Sequence, residues 1–255
     1  MIAELAAAID AGTPVVLATV IRTNRSVPRR AGSKMLVFAD GTTSGTVGGG
    51  EMEHRVINEA VDVLRTGTPC VLSYRLVDPN AGDPGVCGGE AEIYLEPYMP
   101  KPTLLIVGAG HVGRAVIELA SWLDFTTVVW DDRVEMITEL DHSDLEIHLA
   151  ASGSLTALLE DHPLTADAAV VIVTRNVALD VEILPHILAT PARYVGLMGS
   201  NRRWTTTRAK LAEAGVAAAE LDRVQTPIGI EINAETPAEI AVSIMAAVVA
   251  ARRGS

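Results

Sequence analysis

Apolar positions along this chain follow two rhythms, and the switching between them predicts its architecture. Residues 104–107 form a short unbroken apolar run that stops at Gly108, Gly110 and Gly113. Val112, Val116, Ile117, Leu119 and Ala120 then recur at helical spacing, and a second apolar run, 125–130, closes on Asp131 and Asp132. Short continuous runs suit strands buried on both faces, and a 3.6-residue recurrence suits a helix buried on one. The alternation continues with strands predicted near 146–150, 168–174 and 193–197. Helices are predicted at 154–160, at 179–188 with an interruption at Pro185, and from 201 to 211 behind Ser200 as N-cap. A last helix opens at the capping box Thr236-Pro237-Ala238-Glu239 and carries Ile240, Ile244, Met245, Val248 and Val249 to the core. Such a pattern predicts a Rossmann-like, doubly wound parallel sheet over 102–255.

Residues 1–98 are patterned differently. A helix ends at Gly12, a strand covers 14–21, and short strands at 35–38 and 45–47 flank the hairpin signal Asp40-Gly41. Gly48, Gly49 and Gly50 feed a helix over 51–64, with Met52, Val56, Ile57, Ala60, Val63 and Leu64 at core spacing. Strands at 70–75 and 91–96 complete an α+β domain, separated by a loop over 78–89 rich in Pro, Gly and Asp. Pro97, Pro100 and Pro102 around Lys101 predict a stiff linker and a boundary at 98–102.

Composition narrows the class. No apolar run is long enough to span a bilayer, and Glu4 with no basic flank makes the N-terminus a surface helix instead of a signal peptide. Two cysteines, Cys70 and Cys87, cannot build a disulfide framework, which points to the cytoplasm. A net charge of −12 argues against general nucleic-acid binding. Against that acidic background, residues 22–34 hold five basic residues in thirteen and no acid, so this turn is read as an anion or partner site with Arg29 and Lys34 leading.

Candidate chemistry gathers at glycine turns that open helices. Gly108 permits the sharp turn, Gly110 removes the Cβ that would hold a pyrophosphate away, and Gly113 lets helix and strand approach closely. The helix N-terminus offers unpaired N–H groups to phosphate, with His111 beside it. Asp131 arrives about twenty residues later, where the dinucleotide fold places its ribose-binding acid, and is preferred over Asp132 because it comes first after the strand. Gly48, Gly49 and Gly50 form a second turn of this kind, and Gly199, Ser200 and Arg202 a third. Glu51 complements its helix dipole or repels an anion there. The histidines lack zinc spacing, and there is no G-x-S-x-G elbow.

The segments ATVIRTNRSVPRRAGSKMLV, TVGGGEMEHRVI, CGGEAEIYLEP, GAGHVGRA, YVGLMGSNRR and TPIGIEINAETPAEIAVSIMA together resemble the XdhC/CoxI family of maturation factors for molybdenum hydroxylases. The resemblance spans nearly the whole chain. It implies binding of the molybdenum cofactor, as molybdopterin or its dinucleotide, support of its sulfuration by a cysteine desulfurase, and delivery to an apo molybdenum hydroxylase of the xanthine or carbon monoxide dehydrogenase type. It leaves a homodimer open. Many relatives carry cysteine directly after the glycine run, where this chain has Glu51, so Cys87 is the motif cysteine that remains. A thiolate there could ligate molybdenum or hold sulfur in transit, and packing is the competing role. Two other functions compete with maturation: an NAD(P)-dependent oxidoreductase, which needs an acid/base near the nicotinamide, and a nucleotide-sensing module without chemistry.

Overall fold

The computed structural model describes residues 1–24, 29–75, 89–140, 147–150 and 154–254, and they form two compact units, 1–100 and 101–255. In the first, β1 (Val15–Asn24), β2 (Lys34–Phe38), β3 (Thr43–Gly45), β4 (Cys70–Arg75) and β5 (Glu90–Tyr98) make an antiparallel sheet in the order β3-β2-β1-β5-β4. Alternation along β1 sorts its side chains: Val16, Ala18 and Val20 pack under α2 (Gly50–Thr66), while Val15 and Leu17 meet α1 (Ile2–Asp10). Met52, Val56, Ala60, Val63 and Leu64 are the buried stripe of α2. Gly67 then stops the helix in the left-handed region at φ 64°, its N–H bonding Val63 O.

Two expectations shift here. Strand β1 runs on to Asn24, and Lys34 opens β2, so both ends of the predicted basic turn are strand. Pro97, assigned to the linker, is paired with Val16 inside β5. It is tolerated because β4 reaches only as far as Leu95, leaving Pro97 bonded on one side.

The second unit holds a six-stranded parallel sheet: β6 (Thr103–Val107), β7 (Thr126–Trp130), β8 (Ile147–Ala150), β9 (Ala169–Ile172), β10 (Tyr194–Leu197) and β11 (Val224–Gln225). Their order, β11-β10-β9-β6-β7-β8, is the doubly wound arrangement in which chain direction across the sheet reverses between β6 and β9. Leu104 and Ile106 face α3 (His111–Trp122) and α9 (Pro237–Arg253). Leu105 and Val107 face α5 (Leu155–Asp161), α6 (Val177–Leu188) and α7 (Asn201–Glu213). Short helices α4 (Val134–Thr138) and α8 (Ala218–Leu221) complete the unit. Pro185 does not interrupt α6. It deletes one N–H donor, but Ile183, Leu184, Ile187 and Leu188 are buried on either side and hold the helix continuous. Ser200 and Thr236 cap α7 and α9, and Glu239 closes the capping box.

Among the described residues no helix is long and apolar enough to cross a membrane.

Candidate functional site

The glycine turn after β6 is shaped as its spacing predicts. Gly108 has φ 114°, and a Cβ on it would lie 2.8 Å from Val173 O. A Cβ on Gly113 would lie 1.9 Å from Gly108 O, so this glycine lets α3 close onto the turn itself. Above Gly110 a Cβ would meet nothing within 4 Å, and no side chain caps α3. The N–H groups of its first turn are therefore available to an acceptor from outside the helix. Gly108 and Gly110 border a cavity of about 240 Å³, closed by the ends of β7, β9 and β10 through Asp131, Asp132, Arg133, Thr174, Arg175 and Met198. It sits at the carboxyl edge where the winding reverses, the place such sheets hold ligands.

Asp131 has a different task from the free ribose acid expected of it. Its carboxylate is buried and accepts Ala109 N–H at 2.8 Å, Arg133 N–H at 2.9 Å, and both arms of the Arg133 guanidinium at 2.9 and 3.0 Å. Burial pushes its pKa up, but the bonds from Arg133 and Ala109 outweigh that and hold it below the ordinary 3.8. Asp131 is thus a tether for the glycine turn, which Arg114 also grips through Ala109 O at 3.2 Å. Asp132 is the acid whose carboxylate faces water, where both arms of Arg175 hold it at 2.6 Å. Asp131→Asn should cost about 2 kcal/mol, because Arg133 loses its charged partner at a buried acceptor. Faster amide exchange at Ala109 is the diagnostic signal. Since the folded pKa is depressed, wild-type stability from this group is complete above 3.8 and is lost as pH falls through the folded value, so the two proteins converge in acid.

The other predicted turns are used internally. Gly48, Gly49 and Gly50 do form a turn, all at positive φ, but the anion it holds is the chain's own Glu53. From one turn into α2, that carboxylate reaches back to accept Thr46 Oγ1–H at 2.5 Å, Gly49 N–H at 3.0 Å and Val47 N–H at 3.3 Å. Glu51, the acid singled out from sequence, is exposed. Burial raises the Glu53 pKa, yet the Thr46 and backbone bonds leave it below 4.5. Glu53→Gln should therefore lower stability at neutral pH by about 1–2 kcal/mol. That gap should be complete above pH 4.5 and close as pH falls through the folded pKa, checked by urea melts of both proteins across this range.

Ser200 accepts Arg203 N–H at 3.3 Å as the α7 cap, while Gly199, Ser200 and Arg202 stand outside the cavity lining and Arg202 is exposed. Its neighbour Arg203, not nominated from sequence, is the engaged one. It donates to Asp180 at 2.7 and 2.8 Å, to Thr174 O at 3.0 Å and to Thr174 Oγ1 at 2.7 Å. Thr174 in turn donates to Asp180 at 2.5 Å. This cluster clamps the β9–α6 connection that lines the cavity; only an arginine just inside a helix after a strand hinted at it. Lys34 donates to Thr19 at 3.0 Å across β1 and β2, whereas Arg29 is exposed with no side-chain bond among the described residues. His111 is exposed at the first position of α3. Cys87 lies outside the described residues, and among those that are described no His, Cys, Asp and Glu cluster could hold a metal.

A winding-reversal crevice over a capless glycine-opened helix defines the second unit as a Rossmann domain, carried behind an antiparallel α+β unit. A family profile for the XdhC Rossmann domain matches residues 104–248, and one for the XdhC and CoxI family matches 8–75. The chain belongs to the XdhC and CoxI family. Among similar proteins, Escherichia coli YqeB, described as uncharacterized, is 34% identical over 91% of this chain and 42% of its own length. A Bacillus subtilis protein described as a probable xanthine dehydrogenase component is 27% identical over 63% of this chain and 46% of its own. The chain thus spans less than half the length of these two relatives. The molybdenum cofactor insertion chaperone PaoD of E. coli is 24% identical over 96% of this chain and 86% of its own. A Bacillus halodurans crystal structure described as a xanthine dehydrogenase aligns at TM-score 0.51 and 24% identity, covering 98% of this chain and 95% of that one, a likeness of fold.

Proposed function

We propose that this chain is an accessory protein in the maturation of molybdenum hydroxylases. In this role it binds the molybdenum cofactor, supports its sulfuration with a cysteine desulfurase and passes it to an apo hydroxylase. Similarity to an insertion chaperone along nearly the whole chain supports the maturation role. One structural observation carries the binding half: the space above Gly110, facing the N-terminus of α3, where a pterin phosphate or dinucleotide pyrophosphate would accept backbone N–H bonds. Gly108, Gly110 and the first turn of α3 would hold that phosphate. The bound group supplies the molybdenum chemistry, and Cys87 is our candidate for the thiol that meets it.

An oxidoreductase reading fits the crevice less well. The ionisable groups bordering it are Asp131, Asp132, Arg133 and Arg175, tied to one another in pairs, and a hydride-transfer site calls for a proton donor or acceptor near the nicotinamide. The test is to purify the chain from cells able to make the molybdenum cofactor and assay the bound material for molybdenum, pterin and NAD(P). Molybdenum and pterin in near-equal amounts support the proposal. NAD(P) alone would overturn it in favour of a nicotinamide-binding protein.

A further inference from the structure

Three arginines stand at the carboxyl edge of the parallel sheet, and they are held in unequal ways. Arg203 has a side chain 17% exposed, gripped by Asp180 and Thr174. Arg133 lies on a buried carboxylate that also accepts two backbone N–H groups. Arg175 is bound to one carboxylate, that of Asp132, and both members of this pair face water, with side chains 47% and 31% exposed.

Because β7 and β9 flank β6, this pair runs from one side of the glycine turn to the other, and both its residues border the same cavity as Gly108 and Gly110. We infer that Asp132 and Arg175 form an exchangeable latch across the crevice, in which a phosphate of a bound dinucleotide replaces the Asp132 carboxylate on Arg175. A phosphate accepts the same two parallel N–H bonds from a guanidinium as a carboxylate does, so the exchange conserves hydrogen bonds. An exposed ion pair contributes little net stability, so opening it opposes binding weakly. The displaced Asp132 carboxylate turns to solvent. Arg133 and Arg203 cannot make this exchange, since releasing either would strand a buried acid.

The inference rests on the phosphate reading of the crevice, and one calorimetric series separates the two. ADP-ribose is titrated into the full-length wild type, Arg175→Gln, Asp132→Asn and Gly110→Val. Arg175→Gln should weaken binding about tenfold or more at an unchanged melting temperature, as expected for loss of a charge-assisted bidentate contact. Asp132→Asn should bind several-fold tighter, because the competing carboxylate is gone; a merely structural pair would not give this sign. If Arg175→Gln binds like wild type while Gly110→Val does not bind, the latch alone is wrong. If Asp132→Asn weakens binding, Asp132 is a ligand-binding acid and the latch is again wrong. If wild type does not bind, or Gly110→Val binds equally well, crevice and latch fall together.

Discussion

Gly110→Val should reduce affinity for a pyrophosphate-bearing ligand by at least about a hundredfold, the loss of two or three charge-assisted backbone bonds, while leaving the domain folded. The two halves of this expectation have separate grounds. Gly110 has φ −72° and ψ −169°, an extended conformation open to any L-residue, and its Cβ position has no neighbour within 4 Å. A valine there loses only the modest preference of an N-cap for glycine, about 1 kcal/mol or less. Its methyl groups would instead fill the space through which the phosphate reaches α3. Gly113→Ala supplies the opposite result. Its Cβ would fall 1.9 Å from Gly108 O, a backbone atom that cannot step aside, so stability should drop by about 3 kcal/mol or more. Urea denaturation and ligand titration of the pair check this. A Gly110→Val protein that unfolds like Gly113→Ala would mean that the space above Gly110 is not free.

Arg203→Met should be the most destabilising single change at the site, at about 3–5 kcal/mol. Asp180 is fully buried, and Arg203 is its cationic partner. Removing the guanidinium leaves a carboxylate with the Thr174 hydroxyl as its remaining side-chain donor, and strips Thr174 O of its bond as well. Asp180→Leu should be nearly as harmful, since it strands the cation. The double variant should recover much of the loss, because apolar side chains of similar volume often replace a buried ion pair at little cost. A double-mutant cycle by equilibrium unfolding measures this directly, and additive single effects would show that the two residues do not act as a unit. The double variant should still bind ligand poorly, because the connection bearing Thr174 and Arg175 loses its clamp.

Much of this architecture is legible in periodicity alone. Runs of four or five apolar residues between helical stretches specify a parallel sheet, since only strands covered on both faces read that way. The glycine spacing after β6 likewise implies its turn, because each missing Cβ answers a local backbone demand at Gly108 or Gly113. The capping box at Thr236 is of the same kind, a contact made within four residues.

Choices between chemically equal neighbours belong to the tertiary structure. Arg202 and Arg203 are adjacent and alike, yet the 100° step between them on α7 sends Arg203 onto Asp180 and leaves Arg202 in water. Asp131 and Asp132 part in the same way where β7 ends, one turned in to hold Ala109, the other out to meet Arg175, 43 residues away in sequence. Glu53 and not Glu51 fills the second glycine turn, because its position one turn into α2 brings its carboxylate back over the N–H groups. Sequence determined which segments become strand, turn and helix, since those preferences are local. Which charge stays free for a ligand depended on the rotation of each element and on what packs opposite it, quantities that exist only once distant segments are in place.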